Sequence, residues 1–178
     1  MHDSGLVGCP EKSCPMPERL VMVSDSGALS EGESSWCRSV ISALNYLARV
    51  YRWDIAHATS RLSQYMKQPI SGTVAALEYL GGYLASTSGM RVAGCRVEGL
   101  GSYGVYVDSD HHGDADVSTR SHTGVTVLLN GTPVFWRSNK QIITVLSPAE
   151  AEIYAFSEGV RDAKDIAWVL EEMGCEIK

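Results

Sequence analysis

The chain has 178 residues, 44% of them hydrophobic and 20% charged, with a formal net charge of −6. A globule of this size buries roughly 70% of its unfolded-chain surface, so it needs no disulfide or metal staple, and no run approaches the roughly 18 apolar residues of a membrane span. The acidic balance argues against a stand-alone protein that grips nucleic acid through phosphates alone, but not against a nuclease that offsets phosphate charge with metal and takes affinity from a larger polypeptide.

The N-terminal stretch MHDSGLVGCPEKSCPMPE has no basic start followed by an apolar core, so it does not read as a secretory signal. The cysteines are then expected to be reduced thiols of an intracellular protein, placed in a cytoplasmic particle or the nucleus. Cys9 and Cys14 could supply half of a zinc site, but no His stands at ligand spacing.

Residues 1–34 read as a polar linker, broken by Pro10, Pro15 and Pro17, with one short apolar patch at Leu20–Val23. From Ser35 to residue 89 the pattern is helical. Trp36, Val40, Leu44 and Leu47 share one helical face. A second helix holds Ile55, Leu62 and Met66 and closes at Pro69. A third runs near Thr73–Ala85, with Val74, Leu77, Leu80 and Leu84 apolar.

Near Met90 the period shifts toward two, and residues 90–178 read as a strand-rich unit. Arg91–Val97 and Ser102–Val107 are expected strands. Thr123–Leu129 alternates, and Asn130-Gly131 then supplies a two-residue type I′ hairpin turn, which wants φ > 0 at both positions. Asn130-Gly131-Thr132 also matches a glycosylation sequon, a weak reading without a secretion signal. Thr132–Arg137 returns, and Pro133 near its start marks an edge strand. Ser147-Pro148-Ala149-Glu150 is a capping box with Pro at the first helical position, contributing about 1 kcal/mol. Ile153, Phe156, Val160, Ala163 and Leu170 give the following helix an apolar stripe, and Gly174 stops it. Val125, Val127 and Leu129 are expected on one face of the hairpin, buried beneath that helix near Ile153 and Phe156.

The chemistry-bearing residues gather around these elements. Asp108 follows the apolar strand GVYV and opens an acidic loop with Asp110, Asp114 and Asp116. Carboxylates crowded at a strand end repel one another unless a cation neutralises them, which favours a hard divalent ion such as Mg²⁺. The plainer alternative is a solvated acidic loop. Glu152 lies near the start of the last helix, beside the apolar stripe. It can point toward the sheet and share a metal with Asp108, or it can be a helix-start carboxylate favoured by the macrodipole. An EF-hand fails because His112 and Thr119 occupy its fifth and twelfth positions. Asp110-His111-His112 resembles the signature of DHH-type phosphoesterases, but the helical first half offers none of that family's other metal motifs. No G-x-S-x-G elbow supports a hydrolase triad.

Two blocks carry a resemblance. From Tyr106 to Ala163 the chain shows Asp108-Ser109-Asp110, Arg120-Ser121-His122-Thr123-Gly124, Asn130-Gly131-Thr132-Pro133, Trp136-Arg137-Ser138-Asn139-Lys140-Gln141 and Ser147-Pro148-Ala149-Glu150-Ala151-Glu152-Ile153-Tyr154. In order and separation these resemble the RNase H region of copia-type retrotransposon polyproteins. The block Ser34–Pro69, with Arg52-Trp53-Asp54-Ile55, resembles the segment joining polymerase to RNase H in the same polyproteins.

The resemblance implies an RNase H-like α/β fold for residues 90–178, a mixed sheet of antiparallel hairpins followed by a helix, with a helical connection segment at 35–89 before it. It implies metal-dependent hydrolysis of the RNA strand of RNA–DNA hybrids. Asp108 and Glu152 would be the catalytic carboxylates, and Asp108, Glu152 and Asp110 would be metal ligands. Two Mg²⁺ ions would be the cofactor of the complete domain. Arg120, Arg137 and Lys140 would touch phosphates independently of sequence. The implied partners are the hybrid and the remainder of the polyprotein, its polymerase domain included, with no membrane.

The chain departs from the family pattern at His111, where the family carries an aromatic. It also ends before the family's next strand and its third catalytic Asp. The expectation is therefore a truncated domain, inactive by itself, with the Asp108 strand as an open edge that invites self-association. The alternative is a non-catalytic domesticated remnant that contacts nucleic acid or another protein.

Overall fold

A computed structural model describes residues 9–17, 29–92, 94, 102–110 and 120–175. The chain forms two compact units, residues 1–91 and 92–178. No helix among the described residues is long and apolar enough to cross a membrane.

The first unit is helical. Helix α1 (Glu31–Val50) opens on a capping box: Ser30 Oγ accepts from the Glu33 amide, and the Glu33 carboxylate accepts from the Ser30 amide. That cap begins the helix four residues before Ser35, where apolar periodicity first shows. A 3-10 turn at Trp53–Ile55 leads into α2 (Ala56–Ser63), and α3 (Ser71–Ser86) completes the unit. Val40, Ile41 and Leu44 of α1 are buried with Ile55, Leu62, Leu77, Leu80 and Leu84, while Trp36, Leu47, Met66 and Val74 pack partly buried against them. Met66 lies beyond the end of α2, not in the helix expected to hold it.

Residues 9–17, read from sequence as part of a linker, lie along α3. The Lys12 ammonium sits 4.9 Å from the Tyr79 ring centre. Ser86 Oγ donates to the Lys12 carbonyl at 2.6 Å. Gly82 permits the approach, since a Cβ there would meet the Pro10 carbonyl oxygen at 1.9 Å. The Leu20–Val23 patch lies outside the described residues.

The second unit is a three-stranded antiparallel sheet in the order β1 (Tyr103–Asp110), β2 (His122–Leu129), β3 (Thr132–Lys140), packed against α4 (Pro148–Glu172). Arg91, Val92 and Gly94 are not in a strand, and the rest of the strand expected at 91–97 lies outside the described residues. At the hairpin turn Asn130 and Gly131 have φ of 52° and 76°, as a type I′ turn demands. Pro133 occupies an edge strand. The register slips there by a bulge, Val127 facing Phe135 while Leu128 faces Pro133.

The last helix starts where Ser147 Oγ accepts from the Glu150 amide. The Glu150 carboxylate reaches back to the Leu146 amide, one residue before the cap. Gly174, at φ 81°, ends it in a Schellman motif: the Cys175 amide donates to the Leu170 carbonyl and the Gly174 amide to that of Glu171.

One expectation about this helix is corrected. Val125 and Val127 are buried as expected, with Leu129 half-buried, but Ile153 is 71% exposed and Phe156 64% exposed. The buried face of α4 is the small-residue row Ala151, Ala155 and Gly159. Small side chains let the helix axis approach the sheet, and the bulky stripe beside them is left on the flank. The tightest point is Gly159, where a Cβ would meet Val107 Cγ2 at 2.3 Å. Higher on the helix, the Tyr103 hydroxyl donates to the Ala163 carbonyl at 2.6 Å.

Gly159→Ala should therefore destabilise this unit. Overpacking costs about 1–3 kcal/mol, which outweighs the gain of up to ~1 kcal/mol in helix propensity. Urea unfolding should show a lower midpoint, and a higher midpoint would contradict the close contact.

Candidate metal centre

Strand β1 runs to Asp110, so Asp108 lies inside the strand and not after it. Side chains alternate along a strand. Tyr103, Val105 and Val107 turn toward α4 and line a groove with Phe156, Val160 and Ala163. The residues that alternate with them, Tyr106, Asp108 and Asp110, are exposed. Asp108 and Asp110 both occupy even positions of one continuous strand and so share a side of it.

Glu152 lies in the second turn of α4, on the flank between the buried Ala155–Gly159 row and the exposed Ile153. Asp108 and Glu152 line a single surface cavity of about 350 Å³, together with Val107, Ser109, Ile153, Ala155 and Phe156. Both carboxylates belong to exposed residues. One Asp108 oxygen accepts from the Ser109 amide at 2.9 Å, which steadies the side chain against its own backbone. Ser109 Oγ, in the lining of the same cavity, is buried with no protein hydrogen-bond partner. Among the described residues no group of three or more His, Cys, Asp and Glu side chains is close enough to hold a metal ion. Asp110 therefore does not join Asp108 and Glu152 in a three-carboxylate cluster. His111, His112, Asp114 and Asp116 lie outside the described residues.

Of the three cations expected at phosphates, Arg120 is exposed just before β2, and Lys140 is half-buried at the end of β3. Arg137 is turned to α4 instead. Its Nη2 bonds Glu158 at 3.0 Å and its Nε bonds Asp162, with the side chain 17% exposed. Burial alone would lower the Arg137 pKa, but the bonds to Asp162 and Glu158 outweigh it and raise the value. Burial would likewise raise Glu158, and the bonds from Arg137 and Arg161 bring it below the ordinary carboxylate range.

Sequence reasoning also missed Gln141. Its buried amide donates to Thr123 Oγ1 at 3.1 Å and to the Ala151 carbonyl at 3.0 Å. It therefore fixes the first turns of α4, Glu152 included, against β2. Its place in the Trp-x-Ser-x-Lys-Gln motif marked it as notable, but no periodicity shows that a Gln after a strand turns inward.

No family model matches the chain, and no solved structure matches it. Curated relatives do. It is 34% identical over 142 residues, 79% of its length, to the retrovirus-related Pol polyprotein from transposon RE1 of Arabidopsis thaliana. It is 29% identical over 181 residues, 98% of its length, to the Pol polyprotein from transposon TNT 1-94 of Nicotiana tabacum. The chain spans 9% of the first polyprotein and 12% of the second. A shorter relative, secreted RxLR effector protein 161 of Plasmopara viticola, is 38% identical over 125 residues, which cover 70% of this chain and 87% of that protein. The chain belongs to the copia-type retrotransposon Pol polyprotein family.

The Arg137–Glu158 pair makes a pH prediction. A carboxylate whose folded pKa is depressed adds stability above its unfolded pKa, about 4.3 for Glu, and loses it as pH falls through the folded value. Stability of the sheet unit should therefore decline as pH drops below about 5, and Arg137→Met should make that decline shallower while lowering stability at pH 7. Urea midpoints measured from pH 3 to 7 check this, and parallel curves for the two proteins would contradict it.

Proposed function

We propose that the second unit is an RNase H-type domain that works as part of the polyprotein, cleaving the RNA strand of RNA–DNA hybrids with divalent metal. The observation that supports this best is the single cavity lined by Asp108 of β1 and Glu152 of α4. The donor set suits Mg²⁺. Both groups are carboxylates, and Mg²⁺ takes hard oxygen ligands, keeps several of its own waters and needs only one or two protein carboxylates. When bound, the metal would activate water and offset phosphate charge.

The residues of the chain have separate parts in this reading. Asp108 and Glu152 hold the ion from two elements whose spacing is set by the Gly159–Val107 contact. Asp110, on the same face as Asp108, serves as an outer carboxylate. Ser109 Oγ offers a donor and acceptor to metal-bound water. Arg120 and Lys140 take the substrate phosphates, while Arg137 ties β3 to α4. An acidic chain suits this role only with help in binding from the rest of the polyprotein, whose polymerase domain is the proposed partner.

The test uses a polyprotein segment that contains this chain and extends on both sides, with Mg²⁺ and an end-labelled hybrid. Asp108→Asn and Glu152→Gln should each reduce cleavage at least ~100-fold, because even outer-shell losses at metal sites cost 10–100-fold. Cleavage that survives both substitutions would overturn the reading.

A further inference from the structure

Three segments of the second unit meet at Gln141. Its backbone amide donates to the Ser121 carbonyl at 2.8 Å. Its side-chain amide donates to Thr123 Oγ1 at 3.1 Å and to the Ala151 carbonyl at 3.0 Å. A carbonyl can only accept, so the Ala151 bond settles which end of the carboxamide faces α4. Its Oε1 is buried with no protein hydrogen-bond partner, so the two donor bonds alone hold the group. Ser121, Thr123 and Gln141 are all buried, which keeps water from competing for these bonds.

Each bonded group has a neighbour already given a part in the site. Ser121 follows Arg120, Gln141 itself follows Lys140, and Ala151 precedes Glu152. The links differ in kind. The one to Ser121 is made by the backbone and survives a change of side chain. The one to α4 exists only through the carboxamide.

We propose that Gln141 is a positioning residue of the metal site, its carboxamide holding Glu152 in place against Asp108 while its backbone keeps Arg120 and Lys140 side by side. This rests on the reading of Asp108 and Glu152 as metal ligands. Helix ends fray, and a ligand near a frayed end loses affinity as its position spreads. A bond to the carbonyl next to Glu152 limits that spread. The Gly159–Val107 contact sets the spacing of α4 and β1 near the middle of the helix, and Gln141 sets the start. Thr123 acts one step further back, by orienting the carboxamide. Phosphate contact and metal binding are thereby held by separate bonds of one residue, and a side-chain change separates them.

The experiment measures Mn²⁺ affinity of the full chain by electron paramagnetic resonance. Gln141→Met keeps the length of the side chain and removes both donors. It should weaken Mn²⁺ about tenfold, the lower end of losses for groups that orient metal ligands. Thr123→Val should weaken it less, and should add nothing in the Gln141→Met background, because the two act in series. If Gln141→Met does not fold, Thr123→Val carries the test. In the extended polyprotein segment with Mg²⁺, Gln141→Met should lower kcat for the hybrid and leave KM unchanged. A lower urea midpoint with parental Mn²⁺ affinity would make Gln141 a packing residue only and overturn the proposal. So would a raised KM with kcat intact. Asp108→Asn serves as the reference. If it abolishes Mn²⁺ binding while Gln141→Met and Thr123→Val do not weaken it, the positioning role fails and the metal site stands. If Asp108→Asn leaves Mn²⁺ binding unchanged, both fail.

Discussion

The fit of Gly159 over Val107 sets most of the second unit. With no Cβ at 159 and only methyl groups at 151 and 155, α4 lies close along β1, and everything that depends on that spacing follows. Glu152 comes to line one cavity with Asp108. On the opposite flank Glu158 and Asp162 come within reach of Arg137 on β3. Tyr103 and Gln141 then bond α4 near its middle and at its start. A bulkier row would lift the helix and loosen each of these contacts together.

The same packing explains the exposed side chains. Helices usually bury their bulkiest stripe, but here Ile153, Phe156 and Val160 are exposed, and Phe156 and Val160 wall a groove with Val105 and Val107. Among the described residues β1 pairs only with β2. The flank that carries Glu152 and the apolar groove are therefore adjacent products of one arrangement, in which α4 packs on β1.

Much of this was legible in the sequence, and the reasons differ by element. Asn130-Gly131 fixed the hairpin because few residues accept positive φ twice in succession. Ser147 and Gly174 bracketed α4 because caps satisfy backbone groups whatever the tertiary context. The core faces of α1 and α3 followed from apolar periodicity. The burial of α4 did not, because hydrophobicity ranks Phe156 above Gly159, whereas close approach to a sheet favours the smaller residue. The end of β1 was misjudged because Asp and Ser are poor strand formers, and pairing with β2 carries the strand through Asp110 regardless. For the site, Asp108 and Glu152 could be named from motif and placement. The commitment of Arg137 to α4 and the inward turn of Gln141 depend on partners distant in sequence, which local patterns do not record.

In the proposed site Asp108 and Glu152 share one ion. Mn²⁺ titration followed by electron paramagnetic resonance tests it directly on the chain, with Asp108→Asn, Glu152→Gln and the double variant. Sharing predicts one site per chain, strong weakening by either single change, and a double variant little worse than the singles, because ligands of one ion are not additive. Additive losses, or an Asp108→Asn protein that binds Mn²⁺ as the parent does, would contradict it.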